Sequence, residues 1–117
     1  MAGYRKTKIV PFQPWETRNA DGSEKRYFRL GAGIMASESM RSLSGNAFKV
    51  LCYMKIESAG KRSFTFSYSK YKSYMTRPTF NKVFKELEIH GFIEVLQHNK
   101  NLRKANVYMF SDKWKSL

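Results

Sequence analysis

The chain is poor in acid. Nine Asp and Glu stand against 22 Lys and Arg, giving a net charge of +13 over 117 residues and a pI near 10.0. Asp21 and Asp112 are the only aspartates, one in a turn-like stretch and one near the end. Glu86 and Glu88 are two apart on an expected helix, so they diverge by about 200° and cannot share a metal. The two histidines, His90 and His98, fall at a helix end and a hairpin shoulder, where ordinary exposed histidine is the expectation. With no Asp/Glu/His cluster at metal spacing and no Gly-rich phosphate loop, neither a cofactor nor an enzyme is expected.

Cysteine is nearly absent. Cys52 stands alone in an apolar helical pattern, which suits a buried small hydrophobe in a reducing cytoplasm. No run of about 18 apolar residues exists to span a bilayer. Arg5, Lys6 and Lys8 have no apolar stretch behind them, so a secretory signal is not expected. The expected location is the cytoplasm, on the nucleoid, with no membrane partner and no small-molecule ligand. Tyr68, Tyr71 and Tyr74 recur every three residues, but a tyrosine nucleophile needs a metal or an Arg/His set to hold its phosphate. Core packing with hydroxyls at the rim explains the three rings more simply.

What the chain has is a hydrophobic content of 42%, too high for a disordered basic tail. A folded domain of this charge calls for a polyanionic partner, most commonly nucleic acid. The charge is also uneven. From Glu57 to Glu86 no acid intervenes, yet Lys61, Arg62, Lys70, Lys72, Arg77, Lys82 and Lys85 all lie there.

Thr76 to Val95 follows that gap and is the most informative stretch. Phe80, Val83, Phe84 and Leu87 fall at i, i+3, i+4 and i+7, one apolar stripe of a helix. Thr76 is its expected N-cap, Pro78 lies in its first turn, and Gly91 suits the left-handed position that ends it. Lys82 and Lys85 project opposite the stripe, Asn81 on its flank, and Arg77 and Thr79 at its N-terminal end. These are the donors that reach base edges and phosphates.

Residues 1–26, with Pro11, Pro14 and a turn at 19–23, read as a loosely ordered arm, and 27–117 as one domain. Tyr27 to Leu30 reads as a short strand, and 35–41 as a short helix. A central helix is expected from Ser44 to Gly60. Leu43 and Phe48 there have the spacing of a hydrophobic staple, and Ala47, Val50, Leu51 and Met54 form the stripe. Ser63 to Ser67 reads as a strand. Ser69 to Tyr74 reads as a helix, with Tyr71 and Met75 inward and Lys70 and Lys72 outward. Phe92 to Gln97 and Asn106 to Phe110 read as the arms of a hairpin with a basic tip.

With Leu43-Ser44, Phe64-Thr65-Phe66, Thr79-Phe80 and Leu87…Gly91-Phe92-Ile93-Glu94 in this order, residues 40–111 resemble bacterial winged helix-turn-helix domains. The likeness is greatest to those of phage and plasmid replication-initiation proteins and small mobile-element regulators. The implied fold is α+β: a three-helix core, a short strand and a C-terminal β-hairpin wing. The resemblance implies that the third helix, between Thr76 and Gly91, enters the major groove of double-stranded DNA, with the wing on backbone or minor groove. Contacts would fall on Arg77, Thr79, Asn81, Lys82 and Lys85, with Lys70 and Lys72 before them, and on Lys100, Asn101, Arg103 and Lys104 of the wing. Many such proteins carry further domains, for which 117 residues leave no room.

The expected function is sequence-specific DNA binding in transcription regulation or replication initiation of a mobile element. A homodimer on a repeated half-site would add base contacts. Phe12 and Trp15, or Trp114 and Leu117, are the candidates for its surface. Two alternatives stand beside this one: a protein-interaction adaptor with an acidic partner, and an RNA or single-strand binder using Tyr68, Tyr71 and Tyr74 interleaved with Lys70 and Lys72.

Overall fold

A computed structural model describes residues 10–99 and 104–116. Among these, five α-helices and a three-stranded antiparallel sheet make an α+β fold. The helices are α1 (Ala32–Ala36), α2 (Glu38–Arg41), α3 (Gly45–Ser58), α4 (Tyr68–Tyr71) and α5 (Arg77–Ile89). The strands are β1 (Ser63–Thr65), β2 (Ile93–Gln97) and β3 (Val107–Phe110), in the order β1-β3-β2.

The core is built on α3. Its stripe of Ala47, Val50, Leu51 and Met54 is no more than 1% exposed, and the side chains of Leu43 and Phe48 pack against the same cluster. Burial of four such side chains is what holds a short helix that propensity alone would leave marginal. The left-handed turn that stops α3 begins at Ala59 (φ 52°) and continues through Gly60 (φ 82°).

Three expectations need correction. Residues 27–30 form no strand. They pair with none of the three strands, and a tetrapeptide without a partner cannot satisfy its backbone groups as a strand. The helix expected over 35–41 is two helices, because the Ser37 hydroxyl donates to the Ile34 carbonyl (2.6 Å) and accepts from the Met40 N–H (3.2 Å). It thereby closes α1 and caps α2. The helix expected over 69–74 spans only Tyr68–Tyr71. Beyond it, the amides of both Tyr74 and Met75 donate to the Tyr71 carbonyl, which turns the chain toward α5.

Tyr71 and Met75 are buried as expected. The Tyr71 ring lies nearly parallel to that of Phe80, with centroids 4.0 Å apart, and this contact docks α4 on α5. Such an aromatic pair adds about 0.5–1.5 kcal/mol beyond its area.

At the far end of α5 the Gly91 amide donates to the Glu88 carbonyl and the Phe92 amide to that of Leu87. With Gly91 at φ 82° this is a Schellman ending, and it aims the chain into β2. Phe64, Tyr108 and Val95 lie opposite one another across β1, β3 and β2. Opposite Val107, β2 carries an irregularity between Val95 and Gln97, which leaves Leu96 56% exposed. The hairpin is then clasped at its loop end. The Asn99 amide donates to Asn106 Oδ1 (2.7 Å), and Asn99 Nδ2 donates to the Ala105 carbonyl (3.0 Å).

The C-terminal tail packs back on the core. Trp114 stacks beside Phe92 with centroids 6.3 Å apart, and its amide donates to the Gly91 carbonyl. Trp114, half-buried, therefore covers part of the core, whereas Trp15 is 83% exposed. Leu117 lies outside the described residues.

Candidate nucleic-acid interface

Thr76 caps α5, its hydroxyl oxygen accepting from the Thr79 N–H at 3.4 Å and its proton going to Thr79 Oγ1 at 3.0 Å. Thr79 is thus half-buried and occupied with the cap. Phe80, Val83 and Leu87 are buried and Phe84 lies half-buried against them, so the opposite face is fixed in solvent. Arg77, Asn81, Lys82 and Lys85 are exposed on it.

Four-residue spacing puts Arg77, Asn81 and Lys85 on one side of that face, toward the hairpin. Arg77 and Asn81 line a cleft of about 440 Å³ with His98 and Lys104 from the hairpin, over a floor that includes Phe80 and Tyr108. The Arg77 guanidinium lies 4.3 Å from the Tyr68 ring centroid. That contact restricts the side chain before any ligand arrives, and it belongs to α4.

On the other side of Arg77, a cleft of about 590 Å³ is lined by Lys72, Thr79 and Asn46. Lys82 is exposed and lines neither cleft, which leaves it free for a backbone phosphate contact. Lys85 borders a third depression with Glu88 and Glu94, so its surroundings are less positive than those of Arg77.

Ion pairing separates the expected basic residues. Glu57 receives both Arg26 (3.3 Å) and Lys70 (3.2 Å), and Glu94 receives Lys113 (3.3 Å). Lys70 is thus partly neutralised. Among the described residues, Lys72, Arg77, Lys82, Lys85 and Lys104 form no salt bridge. Lys100, Asn101 and Arg103, the other expected wing contacts, lie outside the described residues.

Sequence reasoning missed Asn46, His98 and Tyr68. Asn46 is in the first turn of α3, and nothing local connects it with α5. The link is Glu86, which bonds to Ser44 across the two helices. His98 was expected to be ordinary and exposed; it is exposed, but it borders the cleft with Arg77 and Asn81. The other histidine, His90, holds its Nδ1 2.8 Å from the Glu86 carbonyl at the end of α5.

No group of three or more His, Cys, Asp or Glu able to hold a metal occurs among the described residues. No helix among them is long and apolar enough to cross a membrane. Burial raises the pKa of the Cys52 thiol. No protein-family model, curated protein or solved structure proved similar to the chain.

Proposed function

We propose that the chain is a winged helix-turn-helix protein that binds double-stranded DNA without catalysing a reaction on it. The observation that carries this reading is the convergence of Arg77 and Asn81 from α5 with His98 and Lys104 from the hairpin around one cleft. The strand order β1-β3-β2, with a short helix and α5 placed between β1 and the hairpin, supports the same reading.

In this mechanism α5 enters the major groove. Arg77 and Asn81 meet base edges, since a guanidinium fork and a carboxamide are the groups that pair with guanine and adenine there. Lys82, together with Lys72 and Lys85, takes phosphates and sets register without reading sequence. Lys104 and the remainder of the hairpin tip lie along the flanking backbone or minor groove. The role is regulation of transcription or initiation of replication of a mobile element, with two copies paired on a repeated half-site.

A gel shift with mixed genomic duplex at low salt tests this directly. Binding whose log K falls steeply with log salt is expected, because each phosphate contact releases counterions. Failure to shift any duplex overturns it, and capture of one acidic protein by the same face would indicate an adaptor.

A further inference from the structure

Beyond α5, the described residues carry a second cationic recess at the opposite end of the sheet. β3 runs from Val107 beside the hairpin loop to Phe110, about 10 Å further along at strand rise. Around Phe110 lies a cleft of about 480 Å³, into which Arg29, Lys55, Lys61 and Arg62 all face, with Tyr27 among the aromatic residues at its wall. Among the described residues no carboxylate lines it. The α3 carboxylate Glu57 is engaged by Arg26 and Lys70.

Two of the four cations are held in place. Arg62 donates from Nε to the Phe110 carbonyl at 3.1 Å, which orients the guanidinium and leaves its Nη groups unspent on that bond. Lys55 places its ammonium 4.3 Å from the Phe110 ring centroid, and the other contact of that ring is Phe64, stacked with centroids 4.5 Å apart. Lys55 is half-buried, and this burial lowers its pKa. A partly dehydrated ammonium with no carboxylate partner is costly unless an anion completes its surroundings.

The C-terminal end of α3 supplies some negative potential here, equivalent to about half an elementary charge. That offsets a small part of four cations. A single carboxylate ligand would also leave most of the charge uncompensated, whereas a phosphate chain of three to four negative charges matches it.

We propose that this cleft is a phosphate-binding site that takes a polyphosphate or a run of phosphate esters. Arg62 and Lys55, the two held in place at Phe110, grip the anion, and the exposed Arg29 and Lys61 close on it. The site is separate from α5 and does not rest on how α5 is used.

The test is calorimetric titration of the full chain with sodium tripolyphosphate, with ATP and with a short DNA duplex, at about 0.15 M ionic strength. One saturable tripolyphosphate site is expected, weakened at least about tenfold by the double change Lys55→Gln/Arg62→Gln, since charge-assisted bonds to phosphate are lost. The pair Arg18→Gln/Arg41→Gln, both exposed and outside the cleft, removes equal charge elsewhere and should leave that affinity within about twofold. Should the Lys55→Gln/Arg62→Gln pair fail to fold by circular dichroism, Arg29→Gln/Lys61→Gln, both exposed, replaces it with the same expectation.

A free nucleotide as ligand shows as ATP binding more tightly than tripolyphosphate with duplex affinity unchanged in the cleft variant. Nucleic-acid backbone as ligand shows as reduced duplex affinity in that variant and competition by tripolyphosphate. Absence of tripolyphosphate binding, or equal weakening by both charge-matched pairs, overturns the proposal. Because tripolyphosphate is read without DNA, failure of the duplex reading for α5 leaves this result standing.

Discussion

The Glu86 carboxylate on α5 caps α3 at Ser44: Oε2 accepts from the Ser44 amide (2.6 Å) and Oε1 from its hydroxyl (2.8 Å). The same hydroxyl oxygen accepts from the Ala47 N–H (3.2 Å), so both ends of the cap are satisfied. In a capping box the acceptor for the N-cap amide comes from three residues along the same helix. Here that position is Ala47, and a glutamate 42 residues away takes its place. One carboxylate thus finishes one helix and fixes the orientation of another. Glu86→Ala should lower stability by about 1–3 kcal/mol, the cost of unsatisfied capping groups together with a lost charged acceptor. Urea denaturation would show it as a lower midpoint with an unchanged slope.

The exposed face of α5 divides into two kinds of residue. Lys82→Ala should weaken binding to all duplexes alike and reduce the salt slope by about 1. Arg77→Ala and Asn81→Ala should instead flatten the preference for a selected site, at about 1–3 kcal/mol of discrimination each. Tyr68→Ala removes the ring beneath Arg77 and should reproduce part of the Arg77→Ala loss with no charge removed. Selection of bound sites from random duplexes, followed by anisotropy titrations of each variant, separates these outcomes.

Lys70 should matter less than its sequence position suggests, because Glu57 holds it. Lys70→Ala is expected to reduce duplex affinity less than Lys82→Ala does at the same salt. Glu57→Gln is expected to raise affinity, since it frees Arg26 and Lys70 together. Parallel anisotropy titrations read both changes, and a Lys70 effect equal to that of Lys82 would reject the inference.

The Tyr74 hydroxyl is buried with no hydrogen-bond partner among the described residues. Its ring stacks on Tyr53 at 4.5 Å, and Lys49 lies 5.3 Å from its centroid. Tyr74→Phe keeps the ring contacts and removes the unsatisfied oxygen, so stability at neutral pH should be unchanged or higher. Burial first, then Tyr53 and Glu57, pushes the Tyr74 pKa up from 10.0 to about 12. The native state therefore holds this proton more tightly than the unfolded chain does. Its contribution to stability is complete below about pH 10 and is lost as pH rises toward about 12. Tyr74→Phe should reduce that alkaline loss. Tyr71 and Tyr108, also raised by burial, should keep some of it. Denaturation at a series of pH values measures both effects.

Gly91 carries φ 82°, and a Cβ there would lie 2.5 Å from the Trp114 backbone nitrogen. Gly91→Ala should cost more than about 1 kcal/mol, through strain at positive φ and displacement of the tail. Fluorescence in a Trp15→Phe background should show Trp114 moving into water.

Local order was legible because its causes lie within a turn or two of chain. The stripes of α3 and α5, the caps at Ser44 and Thr76, and the glycine ending of α5 all depend on residues three or four apart. Residues 27–30, strand-like by composition, form none, since composition carries no information on whether a partner strand exists.

The charge, the apolar faces of the two long helices and the outward placement of Arg77, Asn81, Lys82 and Lys85 follow from residue order alone. Tertiary structure alone decided that Lys70 is paired, that Arg77 rests on Tyr68 and that His98 and Lys104 join the α5 cleft. It also decided that Arg62 meets Phe110, 48 residues away, at the far end of the sheet. Side-chain periodicity fixes which way a residue points from its own element. What it then meets depends on how elements distant in sequence pack, and that follows from the burial of the shared core.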